Sequence, residues 1–119
     1  MGSVRMTLAE LPLTQEELQQ IQAFMDERLA ECLTIARMAA FLGRSASQFS
    51  RSFRNSVDMP PHRYLLTRRL QKARDLLAAT QMSVAEIAVA TGFCDQSHLC
   101  HFFRRNLGMS PNAFRRRHR

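Results

Sequence analysis

The 119-residue sequence is poor in the residues on which several protein classes depend. Its three cysteines cannot all pair within one chain, and residues 1–13 lack the basic start and long apolar stretch of a secretory signal. A disulfide scaffold is therefore excluded, and a reducing cytoplasm is expected. No apolar run approaches the roughly 18 residues of a membrane-spanning helix. Four glycines and four prolines leave little room for a glycine-rich phosphate loop or for many β-turns.

Groups that catalysis requires are also scarce. The chain has 10 acidic residues, with no paired-carboxylate or nucleophile constellation. We therefore expect neither an enzyme nor a cofactor. Cys94, His98 and His101 share one helical face, so a metal site is geometrically possible there. Their spacing is not that of a structural zinc unit, and we predict no metal.

The positive charge of the chain is almost entirely arginine. Lys72 is the single lysine among 17 basic residues, and the net charge is +7. Residues 1–43 carry three basic and six acidic residues, whereas residues 44–119 carry fourteen and four. Arginine suits phosphate because its planar fork gives two parallel hydrogen bonds. The asymmetry favours a polyanion as partner of the C-terminal two-thirds, although charge alone also permits an acidic membrane or an acidic protein.

Helix-start signals recur along the whole chain. They stand at Thr14, Thr34, Ser45, Pro60–Pro61, Ser83, Asp95 or Gln96, and Ser110. The long helix from Pro60–Pro61 is predicted to run to about Thr80, and Gly43, Gly92 and Gly108 stand at predicted helix ends. No segment alternates apolar and polar residues with a period of two. The predicted fold class is therefore all-α.

One supersecondary unit occurs twice in the sequence. Residues 35–43 align with residues 84–92 at an offset of 49, and the offset becomes 50 after the glycine. Short helix, glycine-containing turn and second helix is the helix-turn-helix pattern. This organisation predicts four segments: a flexible lead-in at 1–13, a first helix-turn-helix unit at 14–59, a linker helix at 60–80, and a second unit with a basic tail at 81–119.

The linker helix has a length that suits duplex DNA. About 20 residues at about 1.5 Å each span about 30 Å, and one turn of B-form DNA is about 34 Å. A rigid connector of this length could hold two recognition helices in successive major grooves on one face of the duplex. A single monomer would then read an asymmetric site.

The second copy carries a recognisable spaced signature. It reads Ile87-Ala-x-x-x-Gly92-Phe93-x-Asp95-x-Ser97-His98-Leu99-x-x-x-Phe103-Arg104-x-x-x-Gly108-x-Ser110-Pro111-x-x-Phe114-Arg115. This resembles the C-terminal signature of the AraC/XylS family of bacterial transcription factors, and the linker segment Arg69-Leu-x-x-Ala73-x-x-Leu76-Leu77 resembles that family's central helix. The resemblance covers about residues 20–117. The first copy departs from the pattern, with Asp58 in place of Gly108 and Pro60 in place of Ser110.

The resemblance implies a fold and a function. The fold is a seven-helix domain of two homeodomain-like helix-turn-helix units joined by a long linker helix. The function is binding of promoter DNA, usually with activation of transcription. Many relatives carry a separate N-terminal sensing and dimerising domain, so we expect either the DNA-binding part of such a protein or a short stand-alone regulator. The expected location is the bacterial cytoplasm, associated with the nucleoid.

Two sets of side chains are predicted to contact DNA. The resemblance places base contacts in the first copy on Ser47, Gln48, Ser50 and Arg51. On the matching outward face of the second copy, base contacts are expected from Gln96, Ser97, His98, Cys100 and His101. Phosphate contacts are expected from Arg44, Arg54, Arg63, Arg68, Arg104, Arg105 and Arg115. The alternative for any single base contact is a solvated helix position or a phosphate contact. The run 115–119 could equally be a solubilising end.

The sequence therefore predicts a monomeric, sequence-specific DNA-binding regulator. Its expected partners are double-stranded promoter DNA and RNA polymerase. No association with a membrane is expected. The alternative is a basic helical protein-interaction module that acts mainly on RNA polymerase.

Overall fold

The computed structural model of the chain describes residues 11–118, and within them it contains seven α-helices and no strand. The helices are α1 (Gln15–Glu27), α2 (Ile35–Phe41), α3 (Ala46–Val57), α4 (Pro61–Ala79), α5 (Val84–Ala90), α6 (Gln96–Leu107) and α7 (Pro111–Arg117). The all-α prediction is confirmed. No helix in this part of the chain is both long and apolar enough to cross a lipid bilayer.

Side-chain caps define where the helices begin. In six of them the residue before the helix accepts a hydrogen bond from the third helical backbone N–H; these residues are Thr14, Thr34, Ser45, Ser83, Asp95 and Ser110. Three of these caps are complete capping boxes, with a Glu or Gln side chain accepting in return from the cap backbone. Each cap satisfies an N–H group that a helix leaves without an intrahelical partner, worth about 1 kcal/mol.

The chain divides into two compact units. Among the described residues, the first comprises 11–28 and 33–65, and the second comprises 29–32 and 66–118. The division falls inside α4, so this helix contributes to both cores. Leu13, in the segment predicted as a lead-in, is buried, and its N–H donates to Ser56 Oγ at 2.7 Å. Residues 1–10 of that segment lie outside the described residues.

Each unit has its own apolar core. The first is built from α1, α2, α3 and the start of α4, and buries Ile21, Phe24, Met25, Met38, Phe49, Phe53 and Leu65. The second buries Leu70, Ala73, Leu77, Val84, Ile87, Ala88, Phe93, Leu99, Phe103 and Phe114. Both α3 and α6 turn two aromatic or aliphatic residues four positions apart into their core, so their opposite faces are left for solvent.

The sequence repeat is reproduced in helix lengths. Helices α2 and α5 each have 7 residues, and α3 and α6 each have 12. Asp58 ends α3 in a left-handed conformation (φ 62°), as Gly108 ends α6 (φ 72°). The departure from the glycine pattern therefore leaves the turn unchanged, since aspartate tolerates this conformation better than most side chains.

Candidate nucleic-acid interface

Helix α3 exposes a polar and cationic face. Phe49 and Phe53 are fully buried, while Ser47, Gln48 and Arg51 are exposed and Ser50 is half-buried. Gln48 has a second task, because its Oε1 accepts the Ser45 N–H at 3.2 Å in the capping box. Its amide NH₂ remains the free part of the side chain.

Two arginines on α3 have uncommitted guanidinium groups. Arg51 and Arg54 are exposed, and within residues 11–118 neither makes a hydrogen bond or ion pair. They line an open cleft of about 360 Å³ whose other walls are Ile35, Ser50, Pro60, Pro61 and His62. The cleft therefore combines an apolar floor with a cationic rim.

Helix α6 presents the matching face of the second unit. Leu99 and Phe103 are buried, and Gln96, Ser97 and His101 are exposed. Cys100 is different, since it is half-buried and packs against the second core. Its thiol therefore flanks the core, although the sequence pattern put it among the base contacts.

His98 folds back over the turn that precedes α6. Its Nδ1 accepts the backbone N–H of Cys94 at 3.3 Å, and its ring meets that of Phe93 edge-on, with centroids 5.2 Å apart. An acceptor at Nδ1 assigns the proton of the neutral ring to Nε2. His98 therefore presents Nε2–H as a donor. No group of three or more His, Cys, Asp or Glu side chains in the described part of the chain could hold a metal ion.

The last turn of α6 carries Arg104 and Arg105. Both are exposed and make no intramolecular hydrogen bond or ion pair among the described residues. Arg104 stands at the position of Arg54 in the repeat. Arg63 and Arg68, on α4, each interact with another residue of the chain.

Arg44 ties elements of the first unit together. Its Nη2 donates to both carboxylate oxygens of Glu17, at 2.9 and 3.0 Å, and its Nη1 donates to Ser52 Oγ at 3.0 Å. The Thr14 backbone N–H, with the Arg44 guanidinium, holds the pKa of Glu17 below its usual value. The partners of Arg44 lie in α1 and α3, so its guanidinium is engaged within the first unit.

Arg115 is engaged in the same way in the second unit. Its Nε donates to the carbonyl of Leu77 at 3.1 Å and its Nη2 to that of Thr80 at 3.2 Å. These carbonyls lack intrahelical partners at the end of α4, so Arg115 caps that helix. The sequence signature marks Arg115 and also Arg69, but it does not reveal which arginines face inward.

Comparison with known proteins supports a DNA-binding role. A family model described as a helix-turn-helix domain matches residues 38–117. The transcriptional activator RhaS of Enterobacter sp. (strain 638) is 35% identical over 98 residues, covering 82% of this chain and 35% of RhaS. The chain spans about a third of the length of the curated relatives it matches, from 28% to 38%.

Two solved structures share the fold over most of their length. One is a transcriptional regulator from Chromobacterium violaceum of the AraC-type DNA-binding domain-containing proteins, with a TM-score of 0.82 and 29% identity. The other is the DNA-binding domain of the global transcriptional factor AdpA in complex with a target DNA, with a TM-score of 0.81 and 35% identity. Each alignment covers 87% of this chain and 93% of the other.

Proposed function

This chain belongs to the AraC/XylS family of helix-turn-helix DNA-binding domains, and on that basis we propose that it reads one asymmetric promoter site. In this proposal α3 and α6 enter successive major grooves of the duplex as the two recognition helices. The sequence-specific contacts come from their first turns, and the phosphate contacts come from their last turns.

Two cationic helix faces, one in each unit, carry this proposal. Arg51 and Arg54 on α3, and Arg104 and Arg105 on α6, are exposed and uncommitted. Release of counterions from phosphate supplies much of the affinity for DNA, so free guanidinium groups on a recognition helix are suited to this partner. Arg54 and Arg104 occupy the same place in the two repeats, as expected for two equivalent contacts with the backbone.

Base recognition is assigned to polar side chains on the outward faces of α3 and α6. Arg51 can make two hydrogen bonds to guanine O6 and N7. On α3 the other proposed readers are Ser47, Gln48 and Ser50; on α6 they are Gln96, Ser97, His98 and His101. Gln48 offers its free amide NH₂ to an acceptor such as adenine N7, and His98 offers Nε2–H. Cys100 is left out of this set because it packs against the core.

Phosphate contacts are assigned to Arg54, Arg104 and Arg105, with support from Arg63 and Arg68. Arg44 and Arg115 are left out because their guanidinium groups are held by Glu17 and by carbonyls at the end of α4. The apolar floor of the cleft beside α3 suits a deoxyribose or a thymine methyl group.

The connector supports a monomeric reader. Helix α4 has 19 residues and is therefore about 28 Å long. This is close to the roughly 34 Å of one DNA turn. If the two recognition helices sit closer together than one turn, the DNA has to bend. The two helices differ in their reader side chains, which makes the two half-sites different.

The regulatory output is proposed to be activation. RhaS is a transcriptional activator by name, and an activator has to engage RNA polymerase in the bacterial cytoplasm. Since the chain spans only part of its relatives, we propose that a sensing or dimerising domain precedes it in the full-length protein.

Two substitutions test the proposed interface. Binding sites would first be selected from random duplexes, and affinity would then be measured across a range of salt concentrations. Arg51→Ala is expected to weaken binding and to relax preference at one base pair. Arg104→Ala is expected to weaken binding to all sequences and to reduce the salt slope by about one. The exposed Lys72→Met substitution on α4 is the matched control for loss of one positive charge.

The alternative function predicts a different result. A protein-interaction module that acts mainly on RNA polymerase would select no duplex from the random pool. Arg51→Ala and Arg104→Ala would then leave affinity for promoter fragments unchanged.

A further inference from the structure

We propose that Arg69 is a positioning residue for the second recognition helix. It holds the backbone segment 29–32 in place, and the α5–α6 turn packs against this segment. This deepens the proposed function and rests on it. Arg69 itself need not touch DNA, because its effect reaches the base readers through the turn.

The first observation is a buried charge with well-defined acceptors. Arg69, on α4, is only 8% exposed. Its Nε donates to the carbonyl of Leu29 at 3.0 Å, and its Nη2 donates to that of Glu31 at 2.9 Å. A buried guanidinium is tolerated only when it is hydrogen-bonded in this manner. Because the two acceptors are two residues apart, the planar fork fixes the course of the backbone between them.

The second observation is the close approach of Gly92 to this clamp. Gly92 has φ +86°, and a Cβ built on it would overlap the carbonyl oxygen of Leu29 and lie 2.5 Å from Arg69 Nε. The backbone of the turn therefore lies directly against the Leu29 carbonyl and the Arg69 guanidinium, which hydrogen-bond to each other. Only glycine permits both the left-handed conformation and this contact.

The third observation connects the segment 29–32, through the α5–α6 turn, to the proposed base contacts on α6. Phe93, next to Gly92, is buried, and its N–H donates to the carbonyl of Ala88 at 2.9 Å. The N–H of Cys94 donates to His98 Nδ1, and Asp95 accepts from the His98 N–H at 2.8 Å. Each residue between Gly92 and the first turn of α6 is thus held in place. A displacement of Gly92 would pass to the first turn of α6, where base contacts are proposed.

The first unit lacks this arrangement, which makes it an internal control. Gly43 occupies the equivalent turn with a similar φ of +69°, but a Cβ built there meets nothing within 4 Å. The clamp is therefore not a general requirement of the repeated turn. It belongs to the second unit, and its loss should affect recognition by α6 and not by α3.

The test uses the full chain and its selected DNA site. For each variant, dissociation constants are measured for the intact site, for a site changed in the α3 half, and for a site changed in the α6 half. In the wild type, a changed base pair is expected to weaken binding roughly 5- to 100-fold in either half. For Arg69→Met we expect the penalty in the α6 half to fall to about twofold or less, with the α3 penalty unchanged. Arg69→Lys should restore part of the α6 discrimination, because an ammonium can still donate to one carbonyl.

The controls separate positioning from lost charge or lost folding. Lys72→Met, on the same helix, should leave both penalties unchanged. Gly92→Ala should reproduce the α6-specific loss with Arg69 intact, and Gly43→Ala should not. If Arg69→Met does not fold, as judged by circular dichroism, Arg69→Lys and Gly92→Ala decide the matter.

Two results would overturn the proposal. One is full α6 discrimination in folded Arg69→Met, or in both Arg69→Lys and Gly92→Ala when Arg69→Met does not fold. The other is an equal loss of discrimination in both halves, which would indicate general destabilisation. Failure of the proposed function is distinguishable, since the wild type would then show no penalty in the α6 half.

Discussion

Asp58 adopts a left-handed backbone conformation that favours glycine. It is the one non-glycine residue with positive φ among residues 11–118, and a left-handed conformation costs a side chain about 1 kcal/mol or more. Asp58→Gly is therefore expected to raise the free energy of unfolding by about 0.5–1 kcal/mol. Chemical denaturation of the variant measures this difference.

The equivalent position in the second unit supplies the reverse experiment. Gly108→Asp should lower stability by a similar amount, because a Cβ at Gly108 meets nothing within 4 Å and the cost is conformational. Unchanged stability in both variants would show that the turn relaxes into another conformation.

Glu17 should give the stability of the protein a measurable pH dependence. Its pKa lies below the usual 4.5, because the Thr14 N–H and Arg44 stabilise the carboxylate. A depressed folded-state pKa stabilises the protein above the usual value, and this contribution is lost as the pH falls through the folded-state value. Urea unfolding between about pH 6 and about pH 3 should therefore be less pH-dependent in Glu17→Gln than in the wild type. Equal pH dependence in the two proteins would contradict this role for Glu17.

The sequence could not show which arginines are free for DNA and which are held by hydrogen bonds within the protein. The pattern placed both Arg44 and Arg54 among the phosphate contacts, but Arg44 hydrogen-bonds to Glu17, 27 residues away. Such a pairing depends on how α1 packs against the turn between α2 and α3. Spacing along one helix determines a face, whereas tertiary contacts decide which cations on it are engaged. Cys100 is a second example. It is half-buried against the second core, whereas the next residue, His101, is exposed.

At the scale of elements, local sequence determines most of what is observed. Six helix starts were predictable because a capping side chain stands three residues before the backbone N–H from which it accepts a hydrogen bond. The start of α4 was predictable from Pro60 and Pro61, because proline is tolerated in the first turn of a helix. The repeat offset was likewise visible in apolar residues and glycines. The clamp between Arg69 and the turn at Gly92 was not predictable, since its carbonyl acceptors carry no side-chain signature.

The caps of the recognition helices should contribute similar stability. Ser45→Ala and Asp95→Ala each remove a hydrogen bond to the third backbone N–H of α3 or α6, which should cost about 1 kcal/mol. Thermal or denaturant unfolding measures the cost. Ser97→Ala, which removes an exposed hydroxyl in the first turn of α6, should not lower stability. A loss as large as that of Asp95→Ala would show that capping is not the cause.

At the scale of the whole molecule, charge and repetition act together. An excess of arginine alone permits several anionic partners, but two capped 12-residue helices with free arginines, of which Arg54 and Arg104 are at equivalent positions, favour a duplex with periodic phosphates. The two units nevertheless differ in detail. The second has a buried arginine clamp beneath its turn, and the first has none at Gly43.

The central claim is that one monomer reads two adjacent grooves, and hydroxyl-radical footprinting of the selected site tests it most directly. At one protein per duplex, we expect two protected regions about one helical turn apart on the same face, with different base preferences in each. Arg51→Ala should weaken one region first. A single protected region, or a symmetric footprint that requires two proteins per duplex, would contradict the account.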